Sequence, residues 1–541
     1  FEKIGFKNVM VAKDFPKDDP TFDPDNLKYS CIRYVPAAIT NAMGPSWTDP
    51  RTGEIINASV IIFNDVVKLA NQWRFLQTSQ VDPSVRTKKM PDNILEESIE
   101  YIVAHEGGHT LGLMHNMSAS AAYPVDSLRS AKFTQKYGTT PSIMDYARFN
   151  YVVQPEDKGV KLTPPNLGIY DEYVIKWLYS PLYGLSAKEE QAMLESWIDE
   201  HAGDPIYRYG KQQVIARYDP SALEEDLGDD AIKAGDYGIK NLKYILENLN
   251  SWIKDDESTA HRQELYSGLC NQYNRYLLNA LTNVGGIYLT EVKDGTPGER
   301  WRAVPRDVQQ KSLKWVIKQL RESDWLDQKD VTSKFPLAIN QSLMLKSRVG
   351  KKLFQLNKGI LLSSHVSTQP YTLENYYDDL FAGIWESAMK GRKLTAGDKI
   401  LQRLAVQEAI AAAGKVMDKK GGKSLQVADM IYAPSVDEIA LYGLDETGCI
   451  NEYLPELRAL EEEHGKGYVA ACLREKYQFG DTGDYGWQKE VNVSDIDESA
   501  AYCAVMLKKI ENLIKTKQAM ANVGDKIHYQ SLLLMIEAQK K

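Results

Sequence analysis

Cysteine is scarce in this chain of 541 residues: Cys31, Cys270, Cys449, Cys472 and Cys503 are odd in number and lack metal-binding spacing. That argues against a cysteine zinc site or a disulfide framework, although one pair could still bridge. Long apolar runs are missing as well. The nearest, 404–413, has Gln407 and Glu408 inside it, so no stretch reaches the ~18 apolar residues of a membrane span. Charge of one sign is not in large excess. A net charge of −9 argues against a nucleic-acid partner, and the basic clusters at 390–393 and 419–423 read as solvated loop faces. No internal repeat is clear enough for a solenoid. The chain opens at Phe1 without initiator or signal segment, so a fragment or processed form is expected, which says nothing about export. What is present is an ordinary globular composition, 43% hydrophobic and 26% charged. The length exceeds one core, and two to four domains are expected.

Histidine is rare too, eight in all, yet His105, His109 and His115 fall together in the stretch HEGGHTLGLMHN at 105–116. Two histidines four apart on a helix lie roughly 40° apart around the axis and about 6 Å apart along it, so both can reach one ion. Three neutral nitrogen ligands with a fourth position left open suit a catalytic zinc better than a closed structural one. Glu106 stands beside the first ligand, where it would not bind metal but could take a proton from water. Gly112 can adopt a positive φ, end the helix and swing the chain back so that His115 arrives as third ligand. The five other histidines, His201, His261, His365, His464 and His528, are isolated and read as surface or core residues.

The pattern HExxHxxGxxH resembles the zinc signature of the metzincin metalloproteases. The resemblance implies Zn2+ as cofactor, a protein or peptide as substrate, and an α+β fold in which a mixed sheet, zinc helix and methionine turn form the catalytic domain. SIMDY at 142–146 matches the turn. Met144 corresponds to the methionine that floors the metal. Tyr146 matches the astacin-like and serralysin-like form, in which the tyrosine approaches the metal and then hydrogen-bonds the tetrahedral intermediate. The likeness covers roughly 1–180. It departs from the clan in lacking a first strand ahead of Phe1 and in carrying Asn116 where several branches have an acid. The whole chain is similar to large bacterial zinc-dependent metalloproteases of the cell envelope, which implies a place in the envelope or outside the cell.

Within 1–180, strands are expected at 29–35 and 55–63, with the segment DPRTGE at 49–54 turning tightly before the second. The metzincin plan has an antiparallel edge strand before the zinc helix, forming the upper rim of the cleft. The run 55–63 is expected to be that strand and 53–59 the rim, an ordinary hairpin being the alternative. Gly53, Glu54, Ile55, Ile56 and Asn57 would then bind substrate as an added strand. A helix is expected at 65–76. The zinc helix should start after Pro91, with Asn93 and Glu96 as a capping box. Leu95, Ile99, Ile102, Glu106 and His109 fall along one side, so the metal face continues a buried stripe. Tyr123, Phe133 and Tyr137 either wall an apolar pocket or pack a loop. Pro164 and Pro165 introduce a helix at 166–179.

Residues 181–541 read as amphipathic helices, for instance 187–201, 236–254, 258–281, 307–321, 372–389, 395–416 and 498–520, with loops at 419–445 and 478–495. The acidic stretch EEDLGDD at 224–230 suits a capped helix start better than a calcium loop. The expected division is a catalytic domain at 1–180, a helical region packed on it at 181–350, and a C-terminal helical domain at 351–541. The expected function is zinc-dependent endopeptidase. The alternative is a helical module that binds protein or glycan beside a vestigial or accessory zinc site.

Overall fold

Val60 and Ile62 project from the same face of one strand, and this two-residue alternation sets the sheet beneath the metal helix. Both are buried with Val66 against Ile99, Ile102 and Val103. The computed structural model describes residues 1–417 and 493–540, apart from 165–166, 214–216, 297 and 338–339. The loop expected at 419–445, almost all of that at 478–495, the basic cluster at 419–423, His464, Cys449 and Cys472 lie outside the described residues.

Strand β1 (Ile32–Val35) pairs in parallel with β5 (Val60–Phe63), in register Ile32 to Val60, and β2 (Ala42–Met43) pairs antiparallel with β5 at the other edge. Strands β3 (Ser46–Thr48) and β4 (Ile55–Ala58) form a separate antiparallel hairpin. Its turn closes where expected, with Gly53 at φ +75° and its N–H donating to the Asp49 carbonyl at 2.8 Å. The run 55–63 is therefore two strands, not one. Ser59 breaks it by donating to the Pro45 carbonyl, and Val60 then donates to the Cys31 carbonyl in the other sheet. The antiparallel edge strand lying against the metal helix is β2, whereas 53–59 belongs to the hairpin.

Helix α1 (Val66–Thr78) follows β5, and the metal helix α2 (Asp92–Thr110) begins directly after Pro91, whose extended φ and ψ precede the first turn. No side-chain cap forms, so the expected Asn93 box is absent; instead Asp92 places a carboxylate in the first turn, favourable to the helix dipole. Tyr123 and Phe133 meet edge to face at 5.0 Å, and Phe133 meets Tyr137 at 5.0 Å, so these aromatics pack the loop. Helices α3 (Ala131–Tyr137) and α4 (Ile169–Tyr179) flank the methionine turn.

Downstream, α5 (Ala187–Asp199) leads to the antiparallel pair α6 (Ala231–Trp252) and α7 (Ala260–Thr282). Asp230 caps α6 by accepting from the N–H groups of Ile232 and Lys233, so the acidic stretch does open a capped helix. After the hairpin β6 (Ile287–Leu289) and β7 (Trp301–Ala303) come α8 (Arg306–Arg321), α9 (Lys329–Thr332), α10 (Gln341–Lys352), α11 (Asn357–His365), α12 (Leu373–Ile384), α13 (Glu386–Met389) and α14 (Ala396–Met417). Two further helices, Ser499–Lys517 and Val523–Gln539, pack on α14. The expected helix at 372–389 is thus broken, with Trp385 fully buried at the break. The core does not divide at residue 180. One buried cluster joins Phe75, Leu76, Val125 and Tyr151 to Leu242, Leu269, Tyr276 and the helices that follow.

Candidate metal centre

His105 and His109 lie on successive turns of α2, and the way the helix ends delivers the third histidine. Gly112 takes φ +82°, its N–H donates to the His109 carbonyl at 2.9 Å, and the N–H of Leu113 donates to the Gly108 carbonyl at 3.1 Å. These crossed bonds are a Schellman stop, which reverses the chain and leaves His115 facing the helix it has just left. The Nε2 atom of His115 comes within 3.2 Å of His105 Nε2 and 3.0 Å of His109 Nε2.

The opposite ring nitrogens decide what those three atoms can hold. His105 Nδ1–H donates to the Ile143 carbonyl at 2.7 Å, His109 Nδ1–H to the Leu113 carbonyl at 2.9 Å, and His115 Nδ1–H to Gln212 Oε1 at 2.9 Å. Carbonyl oxygens only accept, so each proton is assigned to Nδ1 and each Nε2 turns a bare lone pair inward. Three lone pairs this close repel unless a cation lies among them. The donor set of three neutral imidazoles fits zinc. Burial, with His115 and His109 beside it, holds the His105 imidazole well below its ordinary pKa, so it stays in the ligating form.

Glu106 is 8% exposed and follows the first ligand in the helix. Gly44, at the end of β2, packs directly on this stretch: a Cβ there would sit 2.2 Å from the Glu106 carbonyl oxygen and 3.0 Å from His109 Cβ. Beneath the helix, Met144 is fully buried and its sulfur occupies the space where a Cβ on Gly108 would be, at 2.2 Å. Asp171 in α4 holds the turn in place by accepting from Ser142 Oγ at 2.7 Å and from the N–H of Ile143 at 2.8 Å. Burial raises this carboxyl to about 6.

Tyr146 closes the group, its ring centre 4.5 Å from that of His115 and 5.3 Å from that of His105. On its other side the Arg148 guanidinium lies 4.3 Å from the ring centre and 4.0 Å from that of Trp73. Arg148 has φ +58°, a costly conformation for a residue with a side chain, and an ion pair with Glu225 at 3.5 Å. Behind the turn, Ser120 donates its N–H to Asp145 and its hydroxyl to Asp226, two carboxyls that burial pushes upward.

The family model for Met-zincins matches residues 87–392. The chain belongs to the Met-zincin family. No curated protein and no solved structure matches it significantly. As a Met-zincin it carries the histidine triad that family implies for zinc. The matched region runs from just ahead of α2 past α13, so the family pattern includes helices far beyond the zinc motif.

The residues expected to bind substrate lie in the β3–β4 hairpin. Gly53 and Glu54 form the turn between β3 and β4, while Ile55, Ile56 and Asn57 lie in β4. The Asn57 amide is buried and spent on the carbonyls of Leu27 and Tyr29 at 2.9 and 2.8 Å. Gly44, Asp171, Arg148 and Gln212 were not legible as site residues. Only Gly108 had a visible sign, a second glycine inside a helix where one costs about 1 kcal/mol without a packing reason.

Proposed function

We propose that this Met-zincin is a zinc-dependent endopeptidase acting on protein or peptide substrates. The observation that carries the reading is the set of three inward Nε2 lone pairs, each fixed by an Nδ1–H bond, with a buried carboxylate on the residue after the first ligand. Zinc, when bound, supplies a Lewis acid and lowers the pKa of water at the site. Glu106 takes the proton of the attacking water and passes it to the leaving amine. Tyr146 donates its hydroxyl to the carbonyl oxygen as negative charge develops there. The backbone at 42–44, at the antiparallel edge against α2, pairs with the extended substrate, and a longer peptide meets the hairpin residues Gly53, Glu54, Ile55 and Ile56, with Asn57 holding the hairpin from within. A position in the cell envelope or outside the cell belongs to the same reading and is checked by fractionation of the producing cells.

The test is removal and return of the metal. Chelation is expected to abolish proteolysis of a denatured protein substrate, and zinc to restore it with saturation at one equivalent per chain. Proteolysis that survives complete zinc removal would overturn the reading.

A further inference from the structure

The third histidine owes its orientation to a segment that lies outside the zinc motif, and the acidic stretch at 224–226 supplies the anchors. Gln212 is 97 residues beyond His115, yet its Oε1 accepts the His115 Nδ1–H at 2.9 Å. Its Nε2 donates to Glu224 Oε1 at 3.3 Å, and Glu224 is paired with Arg217 at 2.6 Å. A primary amide can turn either face to a histidine; the buried Glu224 carboxylate, which only accepts, requires the NH2 on its own side and so presents oxygen to His115. Were the amide reversed, its NH2 would face Nδ1, the imidazole proton would move to Nε2, and the lone pair toward the metal would be lost.

The chain around Gln212 is held against the motif by side-chain and backbone bonds from residues 116 and 117. Asn116 uses both ends of its amide, donating to the Arg208 carbonyl at 3.0 Å and accepting from the Gly210 N–H at 2.9 Å. An aspartate could not do both, which accounts for asparagine at this position. Met117 N–H donates to the Gly210 carbonyl at 2.8 Å, and a Cβ on Gly210 would fall 1.8 Å from Ser118 Oγ. The next two acids serve the rest of the site. Glu225 pairs with Arg148, and its N–H donates to the Tyr146 carbonyl at 3.0 Å, while Asp226 accepts from Ser120.

We infer that Gln212, its amide oriented by Glu224, is a positioning residue for the metal ligand His115, so that the zinc site is completed by residues outside the motif, Gln212 and Glu224. The inference rests on the zinc reading of the three histidines. It deepens that reading by assigning zinc affinity to residues outside the motif.

The experiment measures zinc dissociation constants of the full chain by competition with a chelator, alongside the thermal midpoint of each zinc-free form. Gln212→Met removes the acceptor at similar volume and is expected to weaken zinc binding about 10- to 100-fold with an unchanged zinc-free midpoint. Glu224→Gln frees the amide to reverse and should weaken binding in the same direction. The exchanged pair, Gln212→Glu with Glu224→Gln, rebuilds an acceptor for His115 and a donor facing it, and should return to within about threefold of the parent. A parent chain that binds no zinc would sink the zinc reading itself. A parent that binds zinc, with Gln212→Met binding equally well or the exchanged pair no better than the single variants, overturns this inference alone. Loss of folding in all three variants overturns it too, since the contact would then belong to the fold and not to the metal.

Discussion

Glu106 and His109 stand one helical turn or less from the same point, but their losses should differ in kind. In the proposed mechanism Glu106 handles a proton and not the metal, so Glu106→Gln should abolish peptide hydrolysis with zinc still bound, whereas His109→Ala should lose both; metal analysis of each purified variant beside its activity separates them. Tyr146 is argued to act on the carbonyl oxygen as charge appears there, a contact stronger in the transition state than in the ground state. Tyr146→Phe should therefore lower kcat about 10²-fold, roughly 3 kcal/mol, and leave KM unchanged, as steady-state kinetics on one peptide would register. Glu106 and the histidines were legible because spacing brings them together, i to i+4 on a helix, a glycine stop and a short return, whereas Tyr146 was read from the resemblance of SIMDY to the methionine turn. Gln212 was not, because no local pattern links it to His115 and only the folded chain brings them to 2.9 Å. Arg148 was equally hidden, its role depending on rings at Trp73 and Tyr146 and on a left-handed backbone that no composition announces.

Helix α2 offers a paired test of how its two interior glycines differ. Nothing lies within 4 Å of a Cβ on Gly107, so Gly107→Ala should stabilise the chain by about 1 kcal/mol through helix propensity. At Gly108 the same gain of about 1 kcal/mol meets the buried Met144 sulfur at 2.2 Å, and overpacking of about 1–3 kcal/mol should lower the thermal midpoint instead. The methionine turn makes a pH-dependent contribution through Asp171. Burial raises this carboxyl from its ordinary value to about 6, so the folded chain holds the proton more tightly than the unfolded one. Its contribution is fully present below the unfolded pKa and is lost as pH rises through about 6, on the order of 3 kcal/mol in all. Asp171→Asn keeps acceptors for the N–H groups of Ile143 and Gly168, so the urea midpoint of the zinc-free variant should vary less between about pH 4 and 6 than the parent's. At this scale the sequence showed α1, α2 and most later helices closely, since their apolar periodicity and the Pro91 boundary are local. It read 55–63 as one strand, because the stretch is uniformly β-prone and the break at Ser59 follows from bonds to Pro45 and Cys31, which lie beside other strands.

Across the whole molecule, the helices after residue 180 are part of the site's support. Phe75, Leu76 and Tyr151 share one buried cluster with α6, α7 and α8, and Gln212 and Glu225 hold His115 and Tyr146. A fragment ending at residue 180 should therefore fail to hold one equivalent of zinc and should expose apolar surface; metal analysis and gel filtration of that fragment would check both. Length and composition predicted several domains, with the region after residue 180 packed on the catalytic part; which helix covers which apolar face was not legible, because amphipathic helices advertise an apolar face without saying which neighbour covers it. The central claim, that this Met-zincin cleaves internal peptide bonds with zinc and Glu106, is tested most directly by mass spectrometry of a randomised peptide library incubated with the zinc-loaded chain and, separately, with zinc-loaded Glu106→Gln. The account predicts internal cleavage by the parent and none by the variant at equal zinc content. An intact library after incubation with the parent, or the same cleavage products from both, would contradict it.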